Sequence, residues 1–272
     1  MTFSKDIKEG TKKSHSAAEN TSFVKSFLGG CVKEESYRKL VADFYYVYRA
    51  LEERMDTHAM SPVLGPLQEL KELSRTRSLE KDLKYFYGDD WFMKIKPSDS
   101  CQSYVNRIME CEEELLVGHH YTRYLGDLSG GQILKTIAEK AMNLEQGLDF
   151  YKFDIEDKKA YKAKYRQILD NLPLTVSQQN AIIVEANFAF RLNMYMFDEL
   201  DGSAAMGAWQ VFFNTMFNKG ESTYRLGNLD NGRVKEQQDE VKFLHYVLTL
   251  SETNNADVKQ SNGRMDSSRR TP

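Results

Sequence analysis

The stretch YTRYLGDLSGGQILKTIAEKA, residues 121–141, places three glycines inside a run whose apolar residues recur at helical spacing. Gly126, Gly130 and Gly131 should each cost a helix about 1 kcal/mol relative to alanine, which adds up to roughly 3 kcal/mol for the segment. Another interaction has to offset that cost. The segment therefore predicts a helix whose glycines have a purpose other than helix formation.

Three explanations of these glycines compete. Because Gly126 and Gly130 are four residues apart, they could form a groove of small residues against which another helix packs. The string LSGGQ at residues 128–132 also occurs in ABC-type ATPases, but the chain lacks the phosphate-binding GxxxxGK[ST] loop that such enzymes need. In the third explanation a flat ligand lies against bare backbone, with the Asp127 carboxylate in a small organised polar pocket beside it. Arg123 would complete that pocket, or form an ordinary i, i+4 ion pair with Asp127.

A second candidate site lies on the predicted first helix, where four side chains at i, i+4, i+7 and i+11 share one face. They are Lys8, Lys12, His15 and Glu19. Glu19 is placed to accept a hydrogen bond from His15, as the partner of a metal-bound imidazole commonly does. Lysines on the same face suit an iron porphyrin with anionic propionates, although a solvated face of lysines and glutamates has the same pattern. His119 and His120 stay open as alternative ligands.

The composition excludes several classes of protein. The chain has 272 residues, a formal net charge of −3 and too few basic residues for a typical nucleic-acid binder. Its start has no apolar core of a signal peptide, and no apolar run approaches the roughly 20 residues that span a bilayer. Three cysteines without CxxC spacing indicate reduced thiols. These features predict a cytoplasmic protein, or one of the plastid stroma if it is plastid-encoded, that binds neither membrane nor nucleic acid.

The pattern of prolines and helix formers predicts an all-α fold. The predicted helices cover residues 4–28, 33–55, 79–86, 101–142 with a break or bend inside, 155–171 and 176–200, and the predicted connectors cover 61–66, 91–98 and 143–150. We expect one helical domain over residues 1–205. An extension over 206–250 would contain an aromatic segment and a short helix at 239–250. Residues 251–272 are polar and predict a disordered tail.

The quoted segments resemble those of the haem oxygenases. KKSHSAAENTSF (12–23) and the glycine segment carry most of the resemblance, which covers roughly residues 1–205. FYYVYRALEE (44–53), LEKDLKYFYGDDW (79–91) and EANFAFRLNMYMFDEL (185–200) match in the family order. The resemblance implies a helical domain that holds haem between a proximal helix and a bent distal helix. It also implies oxidative cleavage of haem b, both cofactor and substrate, to biliverdin, carbon monoxide and ferrous iron, with O2 consumed.

The resemblance implies roles for the candidate residues around the iron. His15 would be the axial ligand and Glu19 its hydrogen-bond partner. Gly126 and Gly130 would let the distal helix lie on the haem, where a side chain would block oxygen. Asp127 would order the water network that delivers protons to bound oxygen. The same network would include Tyr48, Arg123 and Asn193.

The remaining implied roles concern the edge and the wall of the haem pocket. Residues aligned with propionate-binding positions are Lys8, Lys12, Lys162 and Arg166. Phe190 and Phe197 would line the pocket wall, and Tyr121 would contact haem. Without the resemblance, the two phenylalanines would be ordinary core residues, and Lys162 and Arg166 would belong to a solvated basic face with Lys158.

The resemblance also bears on partners. The chain lacks the hydrophobic C-terminal anchor of the membrane-bound members, which indicates a soluble bacterial or plastid-type member with ferredoxin or a similar protein as electron donor. A monomer is expected. Two alternatives from other classes are a haem carrier or sensor without catalysis, and a di-iron oxidase. The second would need Glu-x-x-His motifs, of which the sequence has none. The electron donor, the meso carbon that is opened and the role of residues 206–272 stay open.

Overall fold

A computed structural model describes residues 2–200, which form α-helices and short 3-10 turns without a strand. The all-α prediction is confirmed. The helices are α1 (Phe3–Gly10), α2 (Lys12–Glu19), α3 (Ser22–Leu28), α4 (Glu34–Thr57), α5 (Thr76–Tyr87), α6 (Trp91–Lys94), α7 (Asp99–Glu110), α8 (Leu116–His120), α9 (Gly126–Met142), α10 (Lys158–Asp170) and α11 (Val176–Leu200). None of them combines the length and the apolarity that a bilayer crossing requires. The predictions for residues 206–250 and 251–272 lie outside the described residues.

The single helix predicted for residues 4–28 is wrong, because the segment forms three helices. The Thr11 hydroxyl donates to the Ile7 carbonyl at 2.7 Å, and α1 ends there. Thr21 has extended backbone and its hydroxyl accepts from Val24 N at 3.4 Å, which caps α3. Threonine side chains that bond to nearby backbone are a recognised signal of a helix boundary.

The break predicted inside residues 101–142 is confirmed. Helix α7 ends at Glu110, and α8 begins at Leu116 after a 3-10 turn. Between α8 and α9 the backbone forms a π-helical turn, Tyr121–Leu125, directly before Gly126. The run ends after Met142 because Asn143 adopts left-handed backbone with φ 52°. A π turn widens the helix by one residue per turn and often lies at a functional site.

The core is built around α4 and α11. Helix α4 packs against α5 and α7, and α11 packs against α2, α7 and α8. Fully buried side chains such as Leu51, Tyr48 and Tyr104 fill the space between them, each with no more than 1 % exposure. Burying a large apolar side chain contributes about 1.5–3 kcal/mol, so this interior holds the helices in fixed positions.

Helices α8 and α11 approach most closely at Gly118. A Cβ atom there would lie 2.9 Å from both the Ala186 nitrogen and the Ile182 carbonyl oxygen. Those neighbours are backbone atoms that cannot rotate away. The small-residue helix crossing that the sequence suggested for Gly126 and Gly130 is therefore found at Gly118 instead.

Gly118→Ala is expected to destabilise the haem-free chain by about 1–3 kcal/mol, because overpacking moves two helix backbones apart. Gly126→Ala is the matched control, since a Cβ there would meet nothing within 4 Å. The control should be neutral or gain up to about 1 kcal/mol from helix propensity. Urea unfolding of both variants measures the difference, and equal midpoints would contradict the close crossing at Gly118.

Candidate active site

A cavity with about 830 Å³ of empty space, part of it open to solvent, lies among α2, α3, α4, α9 and α11. His15 and Glu19 contribute polar groups from α2, and Arg123, Asp127 and Asn193 contribute them from the π turn, α9 and α11. The rest of the lining is mainly apolar. Its phenylalanines are Phe23, Phe27, Phe44, Phe150, Phe190 and Phe197. The cavity therefore brings together the two candidate sites that the sequence placed more than a hundred residues apart.

Helix α9 has empty space beside two of its glycines. A Cβ atom added at Gly126 or at Gly130 would meet no other atom within 4 Å. Gly126 and Gly131 line the cavity, whereas Gly130 is not among the lining residues. Gly131 is tighter, because a Cβ there would lie 3.3 Å from the Tyr151 ring. None of the helices within residues 2–200 packs into the space at Gly126 and Gly130, which favours the explanation that a ligand lies against bare backbone.

Asp127 is the centre of a buried hydrogen-bond network. The Tyr48 hydroxyl donates to Oδ2 of Asp127, and Arg123 Nε donates to the Tyr48 hydroxyl at 2.9 Å. Arg123 Nη1 also donates to Oδ1 of Asn193, and its Nη2 lies 3.6 Å from Oδ1 of Asp127. The guanidinium stacks over the Phe44 ring at 4.5 Å. All four residues that the resemblance assigned to a proton network thus lie in one connected group.

Burial and neighbouring charge shift the pKa of Asp127 in opposite directions. Burial raises the pKa of its carboxyl group, while the Arg123 charge and the Tyr48 hydrogen bond lower it, and the net shift is upward. For Tyr48, burial raises the pKa well above its usual value, so the phenol stays protonated and keeps donating. A carboxyl group with a raised pKa, facing a cavity, is better matched to proton exchange near neutral pH than an exposed one.

His15 differs from the network in its exposure. Its side chain is 57 % exposed and lines the cavity, and its Nδ1 lies 3.6 Å from Oε2 of Glu19. The ring meets Phe190 edge-on, with 5.8 Å between ring centroids. The predicted pairing of His15 with Glu19 therefore exists as an i, i+4 contact on α2. An imidazole whose Nδ1 faces a carboxylate presents Nε2 as the nitrogen that can ligate a metal.

The two alternative histidines are already bonded elsewhere. His119 is fully buried, and its Nε2 lies 2.9 Å from Oε1 of Glu185. His120 is 4 % exposed, and its Nδ1 lies 2.8 Å from the Tyr165 hydroxyl. Neither lines the cavity. Of the three candidate ligands, the geometry favours His15.

His120 gives a pH-dependent prediction. Burial lowers its pKa from 6.5 to about 3, so between these values the unfolded chain binds a proton that the folded chain does not. The free energy of unfolding should fall as the pH drops from about 6.5 towards 3, by at most about 1.4 kcal/mol per pH unit. His120→Gln should lose this slope, as urea unfolding at several pH values would measure. The paired comparison cancels the opposite slope of Asp43 and Asp82, whose pKa burial raises to about 6. Parallel curves would contradict the assignment.

Aromatic rings form the apolar part of the cavity wall. Phe190 and Phe197 both line the cavity, and Phe197 stacks on Phe23 with 5.5 Å between centroids and 15° between planes. Phe44 and Phe150 lie 5.3 Å apart and continue the wall beside the Asp127 network. Flat apolar walls with a few polar groups at defined points are typical of a site for a large planar cofactor.

Comparison with known protein families shows to which family the chain belongs. The family model described as Heme oxygenase matches residues 1–199. The chain belongs to the haem oxygenase family. It is accordingly a haem-binding oxidoreductase with the all-α fold of that family.

Individual relatives agree with the family match. The chain is 51 % identical to "Heme oxygenase 1" of a Nostoc species over 219 residues, covering 78 % of this chain and 92 % of the relative. It is 53 % identical to "Heme oxygenase" of Porphyra purpurea over 217 residues, with 78 % and 92 % covered. The crystal structure of heme oxygenase-1 from the cyanobacterium Synechocystis, in complex with heme, superposes with a TM-score of 0.72 at 48 % identity. That match covers 79 % of this chain and all of the Synechocystis chain.

The four cationic residues that the resemblance assigned to the haem propionates of this haem oxygenase lie outside the cavity lining. The set predicted for the propionates, Lys8, Lys12, Lys162 and Arg166, is not among the lining residues. Lys12 is 77 % exposed and lies 3.9 Å from Glu9, a contact that water screens strongly. Tyr121 is also outside the lining; burial raises the pKa of its phenol, and a hydrogen bond with the Thr11 side chain opposes that shift. Their assignment to haem stays a prediction.

Several lining residues were not singled out as candidates. Phe44 lies in the quoted FYYVYRALEE segment, so the resemblance contained it without marking its role. Phe150 is the last residue of the connector predicted for 143–150 and Tyr151 follows it, and both belong to a 3-10 turn, Asp149–Tyr151. Their position depends on tertiary contacts rather than on local pattern. No sequence signal marks them.

Proposed function

We propose that this haem oxygenase opens haem at a meso carbon inside the cavity, releasing biliverdin, carbon monoxide and ferrous iron and consuming O2. One observation carries the proposal: the same cavity is lined by an accessible imidazole, His15, and by bare helix backbone at Gly126 with the Asp127 network beside it. A haem carrier would need only the first of these features. The buried carboxylate, phenol and guanidinium serve proton delivery.

The residues present fit haem. The space beside Gly126 would be filled by any side chain, and the aromatic walls suit a flat apolar ring. When bound, haem b supplies the iron at which O2 is reduced as well as the porphyrin that is opened. His15 would hold the iron through Nε2, and Glu19, whose Oε2 lies 3.6 Å from Nδ1, would fix the tautomer and the ring orientation once a small side-chain movement brings the two atoms within hydrogen-bond distance.

Asp127 would hold and pass the proton on the opposite side. Tyr48 donates to one carboxylate oxygen, and the other lies 3.6 Å from Arg123, beyond a direct hydrogen bond. That second oxygen keeps acceptor capacity for an ordered water. Arg123 is fixed by Asn193 and Tyr48, and the carboxylate cannot turn away without breaking its own bond from Tyr48. Gly126 would admit O2 where a side chain would exclude it.

The proposal also covers the contacts of the haem edge, the electron donor, and the oligomeric state and cellular location of the protein. Lys8, Lys12, Lys162 and Arg166 would hold the propionates, and Tyr121 would contact the haem edge. Electrons would come from ferredoxin or a similar small protein, which the identity to a cyanobacterial-type Heme oxygenase 1 supports. The protein would act as a monomer in the cytoplasm, or in the plastid stroma if it is plastid-encoded.

The test mixes the purified full chain with haem, ferredoxin, its reductase and NADPH in air. We expect the haem absorption band to decay while bilin absorption grows, with carbon monoxide trapped by ferrous myoglobin. Omission of ferredoxin tests the donor, and direct addition of ascorbate tests the chemistry without it. Haem that stays bound and intact under both reductants would make the chain a carrier or sensor and overturn the proposal.

A further inference from the structure

One wall of the cavity is a short loop, Asp149–Lys152, held by side chains from three places. Asp82 of α5 accepts from the amides of Asp149 and Phe150 at 2.7 and 2.8 Å. Arg75, just before α5, donates to the carbonyls of Phe150 and Lys152 at 3.1 and 2.7 Å. Asp82 and Arg75 are 0 % and 4 % exposed. These bonds tie the loop to the body of the protein.

The third anchor comes from the glycine helix itself. Gln132, the last residue of the LSGGQ string, donates from Nε2 to the Tyr151 carbonyl at 2.7 Å. Beside it, Gly131 leaves the space that the Tyr151 ring occupies, since a Cβ at Gly131 would lie 3.3 Å from that ring. Gln132 is thus the side chain by which α9 holds the loop, and the mechanism above gives it no role.

The loop carries two rings into the cavity. Phe150 and Tyr151 both line it, and Phe150 lies 5.3 Å from Phe44 and 5.5 Å from the Tyr48 ring. Asp127 lies on the same helix as Gln132, five positions earlier. Gln132 therefore joins the helix that bears the Asp127 carboxylate directly to this wall, in addition to the bonds from Asp82 and Arg75.

We infer that Gln132 is a positioning residue that sets which meso carbon is opened, by locking the Phe150–Tyr151 wall to the helix that bears Asp127. The inference rests on the proposed function. The propionate contacts proposed above would hold one edge of the porphyrin, and the walls that the rest of its edge meets would limit the in-plane rotation that remains. If the wall shifts relative to Asp127, a different ring edge faces the proton-delivering side.

The test compares Gln132→Glu with Thr136→Ala. Glutamate has the shape of glutamine but lacks the N–H donor, and it presents an oxygen to the Tyr151 carbonyl. Thr136 lies one turn further along α9, and its hydroxyl bonds only within that helix, to the Gln132 carbonyl. In the haem-free chain, hydrogen exchange over residues 148–153 should accelerate about tenfold in Gln132→Glu and stay unchanged in Thr136→Ala.

Two measurements on the haem-loaded chain test whether Gln132 sets the position of the haem. The proton NMR shifts of the haem methyl groups report in-plane seating without turnover, and chromatography of the biliverdin isomers reports the carbon opened. Both should change in Gln132→Glu and not in Thr136→Ala. Faster exchange with unchanged methyl shifts would mean that Gln132 only stabilises the loop, and the inference would be wrong.

Failure of the proposed function would look different. A wild-type chain that makes no biliverdin would overturn that proposal, while the methyl shifts would still test the wall. Gly131→Ala presses on the Tyr151 ring without removing the hydrogen bond, and it should move the methyl shifts as well. It keeps the inference testable if Gln132→Glu does not fold, and unchanged shifts in that variant would then contradict it.

Discussion

Asp127→Ala should bind haem with an unaltered absorption spectrum and lose biliverdin formation by about 100- to 10,000-fold. General acid–base catalysis typically contributes a factor of this size, and the alanine can neither hold a proton nor order a water. Haem binding should persist because the iron ligand and the aromatic walls lie on other residues. Single-turnover assays with excess reductant measure the rate of haem loss, and spectral titration measures haem affinity.

Removing Asp127 also leaves Arg123 buried with its charge uncompensated, which costs several kcal/mol of stability on its own. Asp127→Asn also removes the counter-charge of Arg123, but asparagine keeps the size of the side chain and can still accept from Tyr48, so it disturbs the network less than alanine while it cannot exchange a proton at neutral pH. We expect it to be folded and inactive. Glu139→Gln on the same helix, whose carboxylate pairs with Lys135 at 2.9 Å, is the matched control and should be fully active. Normal turnover by Asp127→Asn would show that protons reach the site by another route.

The helical fold could be predicted because its signals are local. Periodic apolar residues and helix formers predicted the start of α11 at Val176 and both ends of α4 to within two residues. The breaks at Thr11 and Thr21 were missed because the apolar period continues through them. In both places a threonine hydroxyl forms a hydrogen bond with a nearby backbone group. That local bond accompanies a helix boundary although the apolar periodicity continues.

The site was predictable only where its chemistry was concentrated in one segment. The His15–Glu19 contact follows from i, i+4 spacing, and Arg123 and Asp127 likewise share a face. Tyr48 and Asn193 came from the resemblance alone, since they reach Asp127 and Arg123 through the tertiary fold. The pairing of His119 with Glu185 joins residues 66 positions apart, and no periodicity reports such a contact.

His15→Ala should change the haem absorption spectrum outright and weaken haem binding by more than about a hundredfold. Losing merely a hydrogen-bond partner of a metal ligand typically costs 10- to 100-fold in affinity, so losing the ligand should cost more. Glu19→Gln should show the smaller effect, with the spectrum preserved. His58→Ala is the control, because His58 faces Glu113 at 3.8 Å, away from the cavity.

Added imidazole gives this prediction a second, independent readout. The His15 side chain is 57 % exposed, so its removal opens a path from solvent to the cavity. Free imidazole should enter that space, restore the wild-type spectrum and recover part of the turnover. A spectrum unchanged in His15→Ala would require a different ligand. His119 and His120 could replace it only by giving up their buried bonds to Glu185 and Tyr165, and the free-energy cost of breaking those bonds would appear as a weaker haem affinity.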